Sequence, residues 1–132
     1  MSPTISCSSV YKIFGNNAQT LLSESGGNVD AKKFQEAGCI VGVNNASFDV
    51  NQGEMLVVMG LSGSGKSTLL RCISRLTDAT SGKILIDGED ICLMNNKQLI
   101  ELRREKMGIV FQNFALLPHK TVLENIAFPL QV

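Results

Sequence analysis

Eight consecutive residues near the middle of the chain constrain its fold more than any other feature. They read Gly60-Leu61-Ser62-Gly63-Ser64-Gly65-Lys66-Ser67 and match the pattern G-x-x-x-x-G-K-[ST] in full. Glycines let the backbone fold around an anion with its N–H groups turned inward. A helix that begins at the end of such a loop adds unpaired N–H groups and the positive end of its dipole. The pattern therefore predicts a phosphate-binding loop, called the P-loop below, between a strand and a helix.

Side chains at the end of the P-loop add the chemistry of a nucleoside triphosphate site. Lys66 supplies a cation for the β- and γ-phosphates, and the Ser67 hydroxyl is placed to bind Mg²⁺. Thr68 follows as a donor to the α-phosphate. The candidate nucleotide-binding residues of this segment are Gly60, Ser62, Gly63, Ser64, Gly65, Lys66, Ser67 and Thr68. A glycine-rich turn that binds no ligand is the alternative interpretation.

The composition excludes several other classes of protein. Lys and Arg number 12 and so do Asp and Glu in 132 residues, which argues against a nucleic-acid partner. No apolar run approaches the roughly 18 to 20 residues of a membrane span, and the N-terminus lacks the features of a secretory signal. The four cysteines form no C-x-x-C pair and only one His is present, so reduced, buried thiols in a cytoplasmic chain are expected rather than a zinc site.

Hydrophobic patterning predicts alternating strands and helices along the chain. Strands are expected over residues 5–14, 41–50, 54–59, 83–86 and 107–111, and helices between Asp30 and Gly38, over 66–75, over 96–106 and after Thr121. Residues 55–59 are continuously apolar, which is typical of a strand covered on both faces. Asp87-Gly88 is typical of a hairpin turn, and residues 103–106 are expected to form a solvated helix face.

Three segments, residues 61–71, 81–88 and 110–112, carry a resemblance to a known family. Together with the P-loop they look like the ABC-transporter ATPase family. The resemblance implies an α/β fold with a P-loop NTPase core and an N-terminal antiparallel β-subdomain. It also implies that Gln112 is the Q-loop residue, which reaches the Mg²⁺ and the attacking water. The catalytic candidates are therefore Lys66 and Gln112, and the candidate Mg²⁺ ligands are Ser67 and Gln112.

Residues 11–15, 41–50 and 111–125 are similar to one branch of that family, the importers of the osmoprotectants glycine betaine, proline and choline. The resemblance implies an ATPase subunit that energises this import at the cytoplasmic face of the membrane. Its implied partners are transmembrane permease subunits, a substrate-binding protein and a second ATPase subunit. In this family an aromatic residue stacks on the adenine of ATP. Phe14 best matches its place, and Tyr11 is the alternative.

Several motifs of the family have no counterpart in this sequence. They are the LSGGQ signature, the Walker B strand that ends in Asp-Glu, the D-loop and the switch histidine. Residues 84–87 end in an Asp but lead into a turn, and His119 comes too early for the switch histidine. The chain is therefore expected to be an N-terminal portion, truncated before the helical subdomain and the Walker B strand, that binds ATP without full catalysis.

The resemblance divides the chain into four expected parts. Residues 1–15 form the first strand and adenine-stacking loop, 16–40 a helical insertion, 41–112 the β-subdomain and P-loop core, and 113–132 the Q-loop and the start of the helical subdomain. Two alternatives stay open: a truncated, non-catalytic nucleotide-binding module, and an ABC ATPase for another substrate such as an amino acid. Partner subunits choose the substrate, so the sequence indicates it only through the resemblance.

Overall fold

The computed structural model describes residues 2–131, and within them a four-stranded antiparallel sheet organises the chain. Met1 and Val132, the first and last residues of the parts expected over 1–15 and 113–132, lie outside the described residues. The strands are β1 (Ile5–Phe14), β2 (Ile40–Val50), β3 (Ser81–Ile86) and β4 (Glu89–Asp90). Their order in the sheet is β2-β1-β3-β4, with β1 paired antiparallel to both β2 and β3. The strands expected over residues 5–14, 41–50 and 83–86 are confirmed.

The described part of the chain also contains five α-helices, which lie between or after these strands. They are α1 (Ala18–Glu24), α2 (Ala31–Glu36), α3 (Lys66–Ile73), α4 (Asn96–Lys106) and α5 (Val122–Ala127), with short 3-10 helices at Ile91–Leu93 and Phe128–Leu130. Local capping explains where several of them begin. The Asp30 carboxylate accepts from two backbone N–H groups of α2, and Asn95 and Thr121 each form a reciprocal capping box at the start of α4 and α5.

The strands predicted over residues 54–59 and 107–111 are wrong for this structure. Neither segment joins the sheet, and most of their apolar side chains are exposed: Met55 is 87% exposed and Val110 is 99% exposed, whereas Met107 packs against a core cluster. A strand is held by hydrogen bonds to a neighbouring strand. Between residues 2 and 131 no strand runs beside either segment. Both segments have the apolar composition of a buried strand. In this part of the chain, however, no neighbouring strand is present to pair with them.

Both faces of β1 are covered, and they are covered by different parts of the chain. Val10 packs in a cluster with Leu69 and Cys72 of α3, whereas Tyr11 and Ile13 pack in a second cluster with side chains of α1 and α2. Successive side chains of a strand point to opposite faces. Lys12 and Phe14 therefore lie on the same face as Val10, toward α3, while the helical insertion covers the opposite face.

Two arginines join α3 to the elements that follow it. Arg75, just after α3, donates from its guanidinium to the carbonyl oxygens of Ile91, at 2.9 Å, and Met94. Arg103 of α4 donates to the carbonyl oxygen of Ser74 at 3.1 Å and to that of Arg75 at 2.6 Å. The solvated face expected over residues 103–106 is therefore wrong at Arg103, because the last carbonyl groups of a helix need donors and this guanidinium supplies them.

None of the helices between residues 2 and 131 is both long enough and apolar enough to cross a membrane.

Within residues 2–131 no disulfide joins the four cysteines, and Cys7, Cys39 and Cys72 are buried, which confirms the expectation of mostly buried side chains. Burial raises the pKa of the Cys7 thiol to about 11, and the charges of Asp49, Cys92 and Cys72 act in the same direction. In an unfolded chain a thiol ionises near pH 9. The folded state therefore keeps a proton that the unfolded state loses between these two values.

This difference predicts a loss of stability at high pH. The contribution of Cys7 to the free energy of unfolding is fully present below about pH 9 and is lost as the pH rises toward 11. Between pH 8 and pH 10.5, the free energy of unfolding should fall by about 2 kcal/mol more in the unaltered protein than in Cys7→Ala. Urea unfolding of both proteins at both pH values measures this difference. Equal decreases in the two proteins would contradict the assignment.

Candidate functional site

The P-loop is a turn that ends where α3 begins, as the sequence predicts. Gly65 is the cap of α3, with a φ of +96° in the left-handed region that favours glycine. The Lys66 ammonium folds back over the loop and donates to the carbonyl oxygens of Gly60 and Leu61 at 2.7 and 2.6 Å and to the Ser64 hydroxyl at 3.2 Å. The loop therefore holds its shape around this cation.

Gly65 also fixes where the P-loop lies relative to the sheet. A Cβ atom at Gly65 would overlap the carbonyl oxygen of Gly42 in β2. The P-loop backbone thus packs directly on β2, which is possible only because residue 65 has no side chain. Ser67 is exposed in the first turn of α3 and Thr68 is half-buried beside it. The backbone N–H groups at the start of α3 and the Lys66 ammonium together suit an anion.

The two candidate stacking rings occupy different environments. Phe14 is 43% exposed at the end of β1, and Tyr11 is 9% exposed in the cluster formed with α1 and α2. The Tyr11 hydroxyl donates to the carbonyl oxygen of Gly27 at 3.2 Å, which holds this ring in the helical insertion. The Phe14 ring lies instead near Gly42 and Thr68, on the side of the P-loop.

Lys12 adds a second cation to this side of the sheet. Its ammonium lies 5.0 Å from the centre of the Phe14 ring, a cation–π distance. Burial raises the pKa of the Cys72 thiol on α3, and the Lys12 ammonium acts in the opposite direction. Alternation along β1 puts Lys12 and Phe14 on the same face of the sheet, the face toward α3.

Gln112 makes no hydrogen bond to the P-loop within residues 2–131. It is exposed in a bend after the irregular segment 107–111. Between residues 2 and 131, no group of three or more His, Cys, Asp or Glu side chains could hold a metal ion. A Mg²⁺ ion at this site would therefore depend on the Ser67 hydroxyl and on phosphate oxygens, a donor set that this cation accepts.

Sequence reasoning missed two residues of this site, Gly42 and Lys12. Gly42 had a usable signal, since an isolated glycine inside a strand indicates a bulge or a close backbone approach. Lys12 had none, because its position over the Phe14 ring depends on how β1 pairs and packs. His119 is exposed in the loop before α5 and is not a partner in the hydrogen bonds that Lys66 makes to the P-loop.

Comparison with known proteins gives a consistent result. The family model described as ABC transporter matches residues 43–131. The chain is 78% identical over 130 residues to the trimethylamine N-oxide transport system ATP-binding protein of Pelagibacter ubique, covering 98% of this chain and 38% of that protein. It is 42% identical over 133 residues to the glycine betaine/proline betaine transport system ATP-binding protein of Escherichia coli, covering 100% of this chain and 33% of that protein.

Solved structures show the same likeness. A dimeric ABC transporter cassette, MJ0796, superposes with a TM-score of 0.74 at 32% identity, covering 96% of this chain and 47% of that chain. A second structure of MJ0796, in a post-hydrolysis state with ADP and Pi, has the same TM-score at 31% identity. The chain thus spans about 38% of the length of the first relative named above.

Proposed function

The chain belongs to the ABC transporter family, and from this premise we propose that it is the ATP-binding part of a subunit that hydrolyses ATP to drive import. One observation carries the proposal: the exposed Phe14 ring and Thr68, beside the P-loop, both lie against the same residue of β2, Gly42. A ring for the base and a loop for the phosphates are therefore adjacent. This arrangement suits a nucleotide better than a simple phosphate.

In this proposal each residue has a defined task. The Phe14 ring stacks on the adenine, the backbone of residues 60–66 surrounds the phosphates, and Lys66 neutralises charge on the β- and γ-phosphates. The Ser67 hydroxyl would hold Mg²⁺ together with phosphate oxygens, and Gln112 would face the cation and the attacking water in the working enzyme. When bound, the ion would supply charge stabilisation for phosphoryl transfer.

The transported substrate is proposed from the relatives. They are transport proteins for trimethylamine N-oxide, glycine betaine, proline betaine and carnitine. We infer that the cargo is a small methylated amine of this kind, carried by transmembrane permease subunits and delivered by a substrate-binding protein. A second ATPase subunit, as in the dimeric MJ0796 cassette, would complete the assembly at the cytoplasmic face of the membrane.

A nucleotide-binding module without turnover is the second candidate, and the position of Gln112 favours it for residues 2–131 considered alone. The side chain is exposed and makes no hydrogen bond to the P-loop within this part of the chain. Catalysis of phosphoryl transfer depends on positioning and on electrostatic stabilisation. ATP turnover by the purified 132-residue chain would rule out this second candidate.

Replacing the proposed stacking ring tests ATP binding directly. Phe14→Leu should lower the affinity for ATP about 10-fold or more, because base–aromatic stacking contributes roughly 1–3 kcal/mol, and should leave the affinity for inorganic tripolyphosphate unchanged. Tyr11→Leu is the matched control: its ring lies in the helical insertion, so stability falls while the affinity for ATP stays. Isothermal titration calorimetry measures the affinities for both ligands. An ATP affinity that falls with Tyr11→Leu and not with Phe14→Leu would reassign the stacking residue.

A further inference from the structure

We propose that Gly42 is a positioning residue of the nucleotide site, a bulged glycine of β2 that sets the spacing between the base-stacking ring and the P-loop. The inference rests on the proposed function and adds a residue that contacts neither phosphate nor metal in that proposal. Gly42 would act through its two neighbours, the Phe14 ring and the first turn of α3.

The register between β1 and β2 makes Gly42 an extra residue. Lys12 pairs with Val43 and the next residue of β1, Ile13, pairs with Val41, so Gly42 has no partner across the pair. Such a two-against-one arrangement is a β-bulge, which turns the local backbone and its carbonyl group away from the ladder. Bulges occur often beside functional sites, where they redirect a neighbouring group.

The redirected backbone meets the P-loop. The carbonyl oxygen of Gly42 occupies the space that a Cβ atom of Gly65 would fill. The end of the P-loop therefore rests on the bulge, and the position of the bulge fixes where α3 begins relative to the sheet.

The missing side chain of Gly42 makes room for the other half of the site. A Cβ atom at Gly42 would lie 2.9 Å from Cε2 of Phe14 and 3.0 Å from Cγ2 of Thr68. These two close contacts are with side-chain atoms, which can move, and the one backbone neighbour, the carbonyl oxygen of Lys12, lies at an ordinary contact distance of 3.4 Å. An added methyl group would therefore leave the sheet intact and displace the Phe14 ring and the Thr68 methyl group instead.

Lys12 limits how the ring can respond. Its ammonium lies 5.0 Å from the ring centre, so a ring that moves away from residue 42 must also alter this cation–π contact. The displacement thus acts on the stacking surface and not on Lys66, whose hydrogen bonds are to Gly60, Leu61 and Ser64. The contact with Thr68 is at its methyl group and not at the hydroxyl that is the candidate α-phosphate donor, so the effect should fall mainly on ligands that carry a base.

The test compares Gly42→Ala with Gly108→Ala in the intact protein. Gly108 has no atom within 4 Å of a Cβ position and no left-handed φ, so it controls for the change of residue type. Gly42→Ala should lower the affinity for ATP about 10-fold, as expected when most of one stacking contact is lost, and that for tripolyphosphate less than about 2-fold. Gly108→Ala should change neither affinity.

A double variant separates positioning from a merely structural role. In Phe14→Ala the ring is gone, so adding Gly42→Ala should lower the ATP affinity less than about 2-fold further, the signature of coupled residues. The proposal would be overturned if Gly42→Ala lowered the ATP affinity equally with and without the Phe14 ring, or lowered the affinities for ATP and tripolyphosphate equally. It would also be overturned if Gly42→Ala unfolded the protein and Phe14→Ala did not restore folding. If the unaltered protein binds no ATP, the proposed function fails too; if only Gly42→Ala is without effect, this inference alone fails.

Discussion

Replacement of Lys66 by alanine should abolish most of the affinity for ATP, with a loss of at least about 100-fold. Hydrogen bonds to charged groups contribute roughly 1.5–3 kcal/mol each, and this ammonium can donate three of them. In the structure it already lies over the P-loop, bound to the carbonyl oxygens of Gly60 and Leu61. Its removal therefore costs both a phosphate contact and the group that holds the loop in shape.

Equilibrium titration with ATP and Mg²⁺ measures this loss, and Lys97→Ala provides a matched control. Lys97 is an exposed lysine in the first turn of α4, so it occupies a similar position in a helix that has no phosphate loop. Lys97→Ala should bind ATP as the unaltered protein does. An affinity of Lys66→Ala within about 3-fold of the unaltered protein, less than one hydrogen bond is worth, would mean that the P-loop is not the phosphate site.

Gly65→Ala should have an effect of similar size through the backbone. Alanine in the left-handed region costs about 1–2 kcal/mol, and at a φ of +96° the added Cβ would also overlap the carbonyl oxygen of Gly42. The loop would have to leave β2, which moves every N–H group aimed at the phosphates. A loss of at least about 100-fold in ATP affinity is expected, since the overlap adds to the conformational cost.

Gly63→Ala separates these two costs. Gly63 also has a left-handed φ, +76°, but no atom lies within 4 Å of its Cβ position. This variant should lose only the roughly 5- to 30-fold that corresponds to 1–2 kcal/mol of backbone strain. Circular dichroism on both proteins checks that the sheet is retained. If Gly65→Ala bound ATP as well as Gly63→Ala, the contact between the P-loop and β2 would have no role in shaping the site.

The sequence predicted those parts of the fold that depend on neighbouring residues. The caps at Asp30 and Thr121 lie within three residues of the groups they satisfy, and the helices that follow them begin where these caps indicate. The turn at Asp87 and Gly88 has left-handed φ values at both residues, as a short hairpin requires. These signals are local, so they hold whatever the rest of the chain does.

The two wrong strands show the opposite case. Residues 54–59 and 107–111 have the composition of buried strands, but a strand forms only with a partner that can lie far away in the sequence. Within residues 2–131 that partner is absent, and both segments stay irregular. Composition therefore indicates what a segment would bury, and it does not show whether a neighbouring strand is present.

The candidate site divides in the same way. The P-loop was predicted residue by residue because eight consecutive positions determine it. The choice between Phe14 and Tyr11 stayed open in the sequence, because it depends on which face of β1 the helical insertion covers. The role of Gly42 depends on a bulge in the pairing of β1 with β2, which the register reveals and composition does not.

The irregular segment at residues 54–59 has a consequence for how this chain behaves in solution. It contains no proline and, after Glu54, no charged residue, and its methionine and valine side chains are largely exposed. Apolar segments of this kind, with backbone groups outside any sheet, pair readily with copies of themselves. We therefore expect molecules in which residues 54–59 are uncovered to self-associate as their concentration rises, and molecules in which another strand or partner covers these residues to stay dispersed.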